Sequence, residues 1–374
     1  MIRLKFVPSP VVGMKINEWY NEIQKLNVVE AERLKEEVRQ EIENMEEDQD
    51  ALLYFQLMEL RHQMMLDYLF PKEKKMTIAD YLRVIEGKGR KFSELLAYYF
   101  SFFSGRYYFS EGKYITAIKS YREAEKKLTK VSDKIEKAEF FYKLAEVFYY
   151  MKQNHISMYY ISLADEIYKK HPTYKVRQIQ CHFVIAGNYD DLHAHHKALP
   201  HLHKALALAK ESGNLSMITK ALLNMGHCYN HVGSFHAVSF YHEGIKAAKK
   251  TNAEEITKAY FYLSLIHFSN NEDDKAKEYF EKASESAQLF KNDLFLCLLD
   301  VVEALFIKRA EGPEVSTTFE PLKNSKGYPY MEEISLVAAR FYTKNRRLDD
   351  SMIFYEQMLD AQQKIKKCDF LYEV

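Results

Sequence analysis

Glycine and proline are scarce: the 374 residues hold 12 and 8 of them. All-β sandwiches and barrels need a turn former about every 8–12 residues, so that class is excluded. Cysteine is scarcer still. Cys181, Cys228, Cys297 and Cys368 stand far apart with no CxxC or CxxxC spacing. This suggests neither a zinc site nor a disulfide framework, and the expected compartment is reducing. Net charge is absent, since 53 Lys+Arg offset 53 Asp+Glu. Readers of a phosphate backbone usually carry excess basic charge, so direct nucleic-acid binding is not expected. No apolar run reaches the length of about 18 residues that a membrane span needs. The opening MIRLKFVPSPVVGMKINEWY lacks a signal peptide's continuous apolar core. A soluble, cytoplasmic protein is expected. Gly87-Lys88-Gly89-Arg90 lacks Walker spacing and reads as a polar loop, and HExxH and GxSxG do not occur. No self-contained enzyme site is visible.

Aromatic area is plentiful, with 28 Tyr and 24 Phe against a single Trp. The first 70 residues read as three helices. Ile16, Trp19, Tyr20 and Ile23 form one stripe over 15–26, and Ala31, Leu34, Val38, Ile42 and Met45 another over 29–45. The segment 51–70 is apolar nearly all round. Short connections make these an antiparallel bundle. Pro71-Lys72-Glu73-Lys74-Lys75 then reads as a helix stop and linker.

Beyond it the chain repeats. Gly105, Tyr108, Ala117, Tyr121 and Ala124 fit the small and aromatic positions of a tetratricopeptide unit. The pattern returns at Ala145/Phe148/Ser157/Ile161/Ala164, at Ala186/Tyr189/Ala198/Leu202/Ala205, and at Gly226/Tyr229/Ala237/Tyr241/Gly244. Ser264/His267/Ala276/Phe280/Ala283 and Ala339/Tyr342/Ser351/Tyr355 follow, with a degenerate stretch near 294–330. From Ala117 to Ser157, Ala198, Ala237 and Ala276 the steps are 40, 41, 39 and 39, against a usual period of about 34. Longer helices are therefore expected. The fold class is all-α: an N-terminal three-helix bundle (1–70), a linker (71–77) and a right-handed superhelical tetratricopeptide repeat array (78–374).

Two clusters carry chemistry. His193, His195, His196, His201 and His203, with His182 upstream, are dense enough to hold a transition metal. They straddle a turn between helices, however, and solvent-facing surface is the plainer reading, so no metal site is expected. The acidic turn Glu46-Glu47-Asp48-Gln49-Asp50 can be explained by capping: Asp48 or Asp50 opens the third helix and the carboxylates suit its positive end.

The strings KINEWY (15–20), MEEDQDALLYF (45–55), ELRHQMMLDYL (59–69), IEKAEF (135–140) and FVIAGNYDD (183–191) closely resemble the Rap family of response regulator aspartate phosphatases. The similarity covers essentially the whole chain. It implies a partner: a response regulator, met through its receiver or DNA-binding domain. It also implies a Phr-type signalling pentapeptide as inhibitor. The implied activity is removal of the phosphoryl group from the phosphoaspartate of a sporulation phosphorelay regulator. The alternative is a non-catalytic anti-activator that covers the DNA-binding domain of the competence regulator. By resemblance Gln49 enters the partner's phosphoaspartate pocket. Glu47, Asp48, Leu52, Leu60, Leu95, Asp133 and Tyr174 match regulator contacts, and Asn188, Asp191 and Asn224 match peptide contacts. The family often has Phe where this chain has Leu60, which weakens that apolar contact. No cofactor of its own is implied; the Mg²⁺ is supplied by the regulator. Family members pack the bundle against the repeats when peptide is bound, and Trp19 and the third helix are candidates for that packing.

Overall fold

The structure, a computed structural model, describes residues 6–69, 93–251 and 254–366. It is all-α among these residues, as expected, apart from one bridge between Val7 and Met45. The expected linker 71–77 and Gly87-Lys88-Gly89-Arg90 lie outside the described residues. The chain forms two compact units, 1–144 and 145–374. The first is wider than the three-helix segment, because it takes in the opening repeat.

In the first unit, α1 (Ser9–Lys25), α2 (Val28–Glu43) and α3 (Gln49–Leu69) form the bundle. Pro10 opens α1, where a missing N–H costs nothing. Leu26 ends it in the left-handed region, at φ 62°. Ile16, Trp19, Tyr20 and Ile23 all point inward, as their spacing requires. The segment before α1 is pinned beside the end of α2, with Val7 N–H on Asn44 O at 2.8 Å and Glu46 N–H on Val7 O at 3.1 Å. Next come α4 (Glu94–Ser110), α5 (Tyr114–Glu125) and α6 (Lys134–Tyr150), which begins in this unit.

A buried polar knot ties the bundle to α4 and α6. Trp19 donates from its indole Nε1 to His62 Nδ1 at 2.9 Å. Tyr20 and Gln24 of α1 and Tyr98 of α4 all donate to the carboxylate of Glu136, which is fully buried. Glu139 accepts from Arg106 at 3.0 Å and lies 3.5 Å from the buried Arg61. Trp19 thus packs inside the bundle, against Phe55 and His62. Tyr20 and Gln24, rather than Trp19, reach the repeat helix.

The second unit continues as antiparallel pairs. α7 (Asn154–Tyr168), α8 (Lys175–Asp191), α9 (His195–Glu211), α10 (Leu215–His231) and α11 (His236–Thr251) are followed by α12 (Glu255–Ser269) and α13 (Asp273–Leu289). Helices of 17 residues, as in α8, α9 and α10, account for the long period. Positive φ recurs at Gly112, Lys152, His193, Gly233, Asn271 and Arg346, one in each turn within a pair. The small-residue positions are crossing points. Ser157 Oγ donates to Ala145 O, and Ser351 Oγ to Ala339 O, both at 2.9 Å. That identical pairing bears out the final repeat. The degenerate stretch is α14 (Asp293–Val302), a π-helical turn at Glu303–Ile307 and a short α15 (Gly312–Thr317). α16 (Tyr328–Lys344) and α17 (Leu348–Lys366) close the unit.

Candidate functional site

The acidic turn sits between α2 and α3. Asp48 caps α3: its Oδ1 accepts the amides of Asp50 at 2.9 Å and Ala51 at 3.1 Å. A hydrogen bond from Ser9, then those amides, hold its carboxyl below the usual range. Capping is therefore the role of Asp48, as the sequence allowed. It leaves Gln49 as the first residue of α3, exposed, with its Nε2 donating to Glu47 Oε1 at 3.1 Å. A surface amide at a helix N-terminus, among acidic neighbours, presents a donor and an acceptor outward without a full charge.

The other expected regulator contacts fall differently. Glu47, Leu95 and Asp133 are exposed and Leu52 is half-buried. Asp133 also caps α6 by accepting the Ile135 amide at 2.8 Å. Leu60 is fully buried, so it offers no surface contact as placed here. The reason is that α3 is apolar on nearly every side and packs against α1, α2 and α4. Tyr174, in the second unit, is half-buried in a 3₁₀ turn, its ring 6.1 Å from that of Tyr168.

Asn188, Asp191 and Asn224 lie on α8 and α10 of the second unit. Asn188 is fully buried. Its Nδ2 is spent on Ser157 Oγ at 2.8 Å and Val184 O at 2.9 Å. Its Oδ1 is buried with no hydrogen-bond partner among the described residues. With its Oδ1 closed to solvent, this amide offers a ligand no surface contact as placed here; opening of the groove would expose an acceptor but no donor. Asp191 lies 3.7 Å from Lys152 Nζ, and Lys152 donates to Glu332 of α16 at 2.7 Å. Asn154 Nδ2 reaches Asp191 Oδ2 at 3.4 Å and Asn188 O at 3.2 Å. Burial pushes the Asp191 carboxyl up despite Lys152. Asn224 is half-buried.

Lys152, Asn154 and Glu332 were not foreseen. Lys152 had a faint signal, a non-glycine at the turn position that Gly112 fills one repeat earlier. Glu332 had none, since it is 141 residues from Asp191 in the chain.

The histidine run does not converge on one point. His193, His196 and His203 are exposed, as the surface reading expects. His182 is buried, with its Nδ1 3.0 Å from that of His201. His195 turns back to Asp190 at 2.8 Å.

The family model describing the N-terminal part of response regulator aspartate phosphatase H matches residues 6–67. The chain is 45% identical to response regulator aspartate phosphatase E of Bacillus subtilis (strain 168), over 98% of this chain and 99% of that one. Response regulator aspartate phosphatase A of the same organism is 43% identical over 98% of each chain. Among solved structures, a Rap protein complexed with Competence and Sporulation Factor superposes with a TM-score of 0.89 at 35% identity. That match covers 96% of this chain and 99% of the other.

Proposed function

This chain belongs to the Rap family of response regulator aspartate phosphatases, and from that premise we propose that it dephosphorylates a sporulation-type response regulator under control of a Phr-type pentapeptide. The observation that carries the reading is the exposed Gln49 at the start of α3. A phosphoaspartate is an acyl phosphate and already activated. Its hydrolysis needs a water held in line with the leaving carboxylate, and positioning is the main gain to be supplied. An amide can hold that water without bringing a full charge to an anionic site, the part a glutamine plays in small GTPases. The Mg²⁺ belongs to the regulator's pocket. Breaking the exposed Gln49–Glu47 hydrogen bond to reach the partner costs about 0.5–1.5 kcal/mol at most.

Glu47, Leu52, Leu95 and Asp133 supply the docking surface of the first unit in this reading. The peptide lies against Asn188, Asp191 and Asn224. An extended peptide offers unpaired backbone groups to the half-buried Asn224 amide, and to Asn188 Oδ1 once the groove opens, while Asp191 suits a basic side chain. Action on a response regulator places the protein in the cytoplasm.

The test is to add the purified chain to a phosphorylated regulator and follow loss of phosphate, with and without candidate pentapeptides. Phosphate should disappear in catalytic fashion, and the cognate peptide should stop it. A chain that binds the regulator yet leaves the phosphate in place is the sequestering protein of the alternative reading.

A further inference from the structure

Two helices of the second unit bring two imidazoles and a carboxylate to a spot that the proposed function does not use. His227 and His231 are one turn apart at the end of α10, so they share a face. Glu333 comes from α16. One ligand atom from each of the three lies within 4.8 Å of the others. The two imidazoles meet edge to face, with ring centroids 4.2 Å apart.

We propose that His227, His231 and Glu333 form a binding site for a divalent transition ion of the Zn²⁺ class, with Asp190 orienting His231. Four observations carry this. His227 Nδ1 is buried and has no hydrogen-bond partner among the described residues, a costly arrangement that an ion would relieve. His231 gives Nδ1 to Asp190 Oδ2 at 2.8 Å, which leaves Nε2 as its ligand nitrogen. A carboxylate holding the second nitrogen of a ligating histidine is the usual outer support of such a site. Asp190 is itself fixed from the other side by His195 Nδ1 at 2.8 Å. Glu333 is held by the Tyr262 hydroxyl at 2.9 Å, so its second oxygen is available. Two imidazoles and a carboxylate are a donor set suited to Zn²⁺, with a fourth position open. A tetrahedral ion spaces its ligand atoms about 3.3–3.5 Å apart, so movements of about 1 Å close the present arrangement.

The test uses the full chain, stripped with a chelator and titrated with Co²⁺ by absorption and with Zn²⁺ against a chromophoric competitor. One equivalent should bind, with the spectrum of a tetrahedral or five-coordinate site. His227→Gln and Glu333→Gln should each weaken binding at least tenfold, and Asp190→Asn about 10–100-fold. Glu333→Gln alters only one side-chain atom, and unchanged circular dichroism will show that its fold is kept. His193→Ala, His196→Ala and His203→Ala should leave binding as it is. Failure of the parent chain to bind, or binding indifferent to Glu333→Gln and His227→Gln, overturns the proposal, as does binding lost with the exposed histidines.

Discussion

Two carboxylates, the buried Glu136 and the half-buried Asp191, illustrate what single residues do in this protein. Burial pushes the Glu136 carboxyl up to about 7, and hydrogen bonds from Tyr20 and Tyr98 only partly offset this. A folded-state value above the unfolded one means a contribution fully present below about pH 4.5 and lost as pH rises through about 7. Over that window the loss is about 3 kcal/mol. Melting followed from pH 4 to 9 should therefore show the parent chain weakening between about pH 4.5 and 7 and levelling off above neutrality, while Glu136→Gln removes that decline. A parallel decline in both proteins excludes Glu136 as the cause. Asp191 acts on ligands instead. Asp191→Ala should weaken a pentapeptide with Arg at its second position by about 1.5–3 kcal/mol, yet barely affect one with Ala there, as titration calorimetry can read. Equal losses for both peptides mean that Asp191 does not meet the basic side chain. None of these partnerships was legible locally. The sequence shows Glu136 within IEKAEF, but not that Tyr20, 116 residues earlier, would close on it.

At the scale of elements the chain was far more legible, because one geometric rule is repeated. Small residues stand where paired helices cross, and their recurrence in the sequence sets the period. Gly105 shows the rule at its tightest. A Cβ there would collide with the Tyr121 ring, which is fully buried between α4 and α5. Gly105→Ala should accordingly cost about 1–3 kcal/mol in urea unfolding, through a displaced ring. No measurable change requires that Tyr121 can move freely. The helix α3 marks the rule's limit. A segment apolar all round has no face that periodicity can single out, and so Leu60 could be read as surface when it is core. The short α15 escaped for a related reason: the π-helical turn at Glu303–Ile307 breaks the spacing on which the reading depends. The His227, His231 and Glu333 cluster joins α10 to α16 across more than 100 residues, whereas the dense histidine run lies in and just before α9.

For the whole molecule, the proposed catalytic residue lies in the first compact unit and the proposed peptide residues in the second. Inhibition then requires a peptide that distinguishes two states of the protein, since equal affinity for both shifts nothing. The coupling must also be reciprocal. Whatever factor the peptide takes from regulator affinity, the regulator must take from peptide affinity, and two binding titrations measure both. Unequal factors contradict a single linked equilibrium. The account as a whole depends on one exposed amide, and the direct measurement is phosphate release from a phosphorylated regulator by Gln49→Ala beside the parent chain. Release should fall to the regulator's own rate while regulator binding stays within a few fold of the parent's. Release at the parent rate contradicts the account.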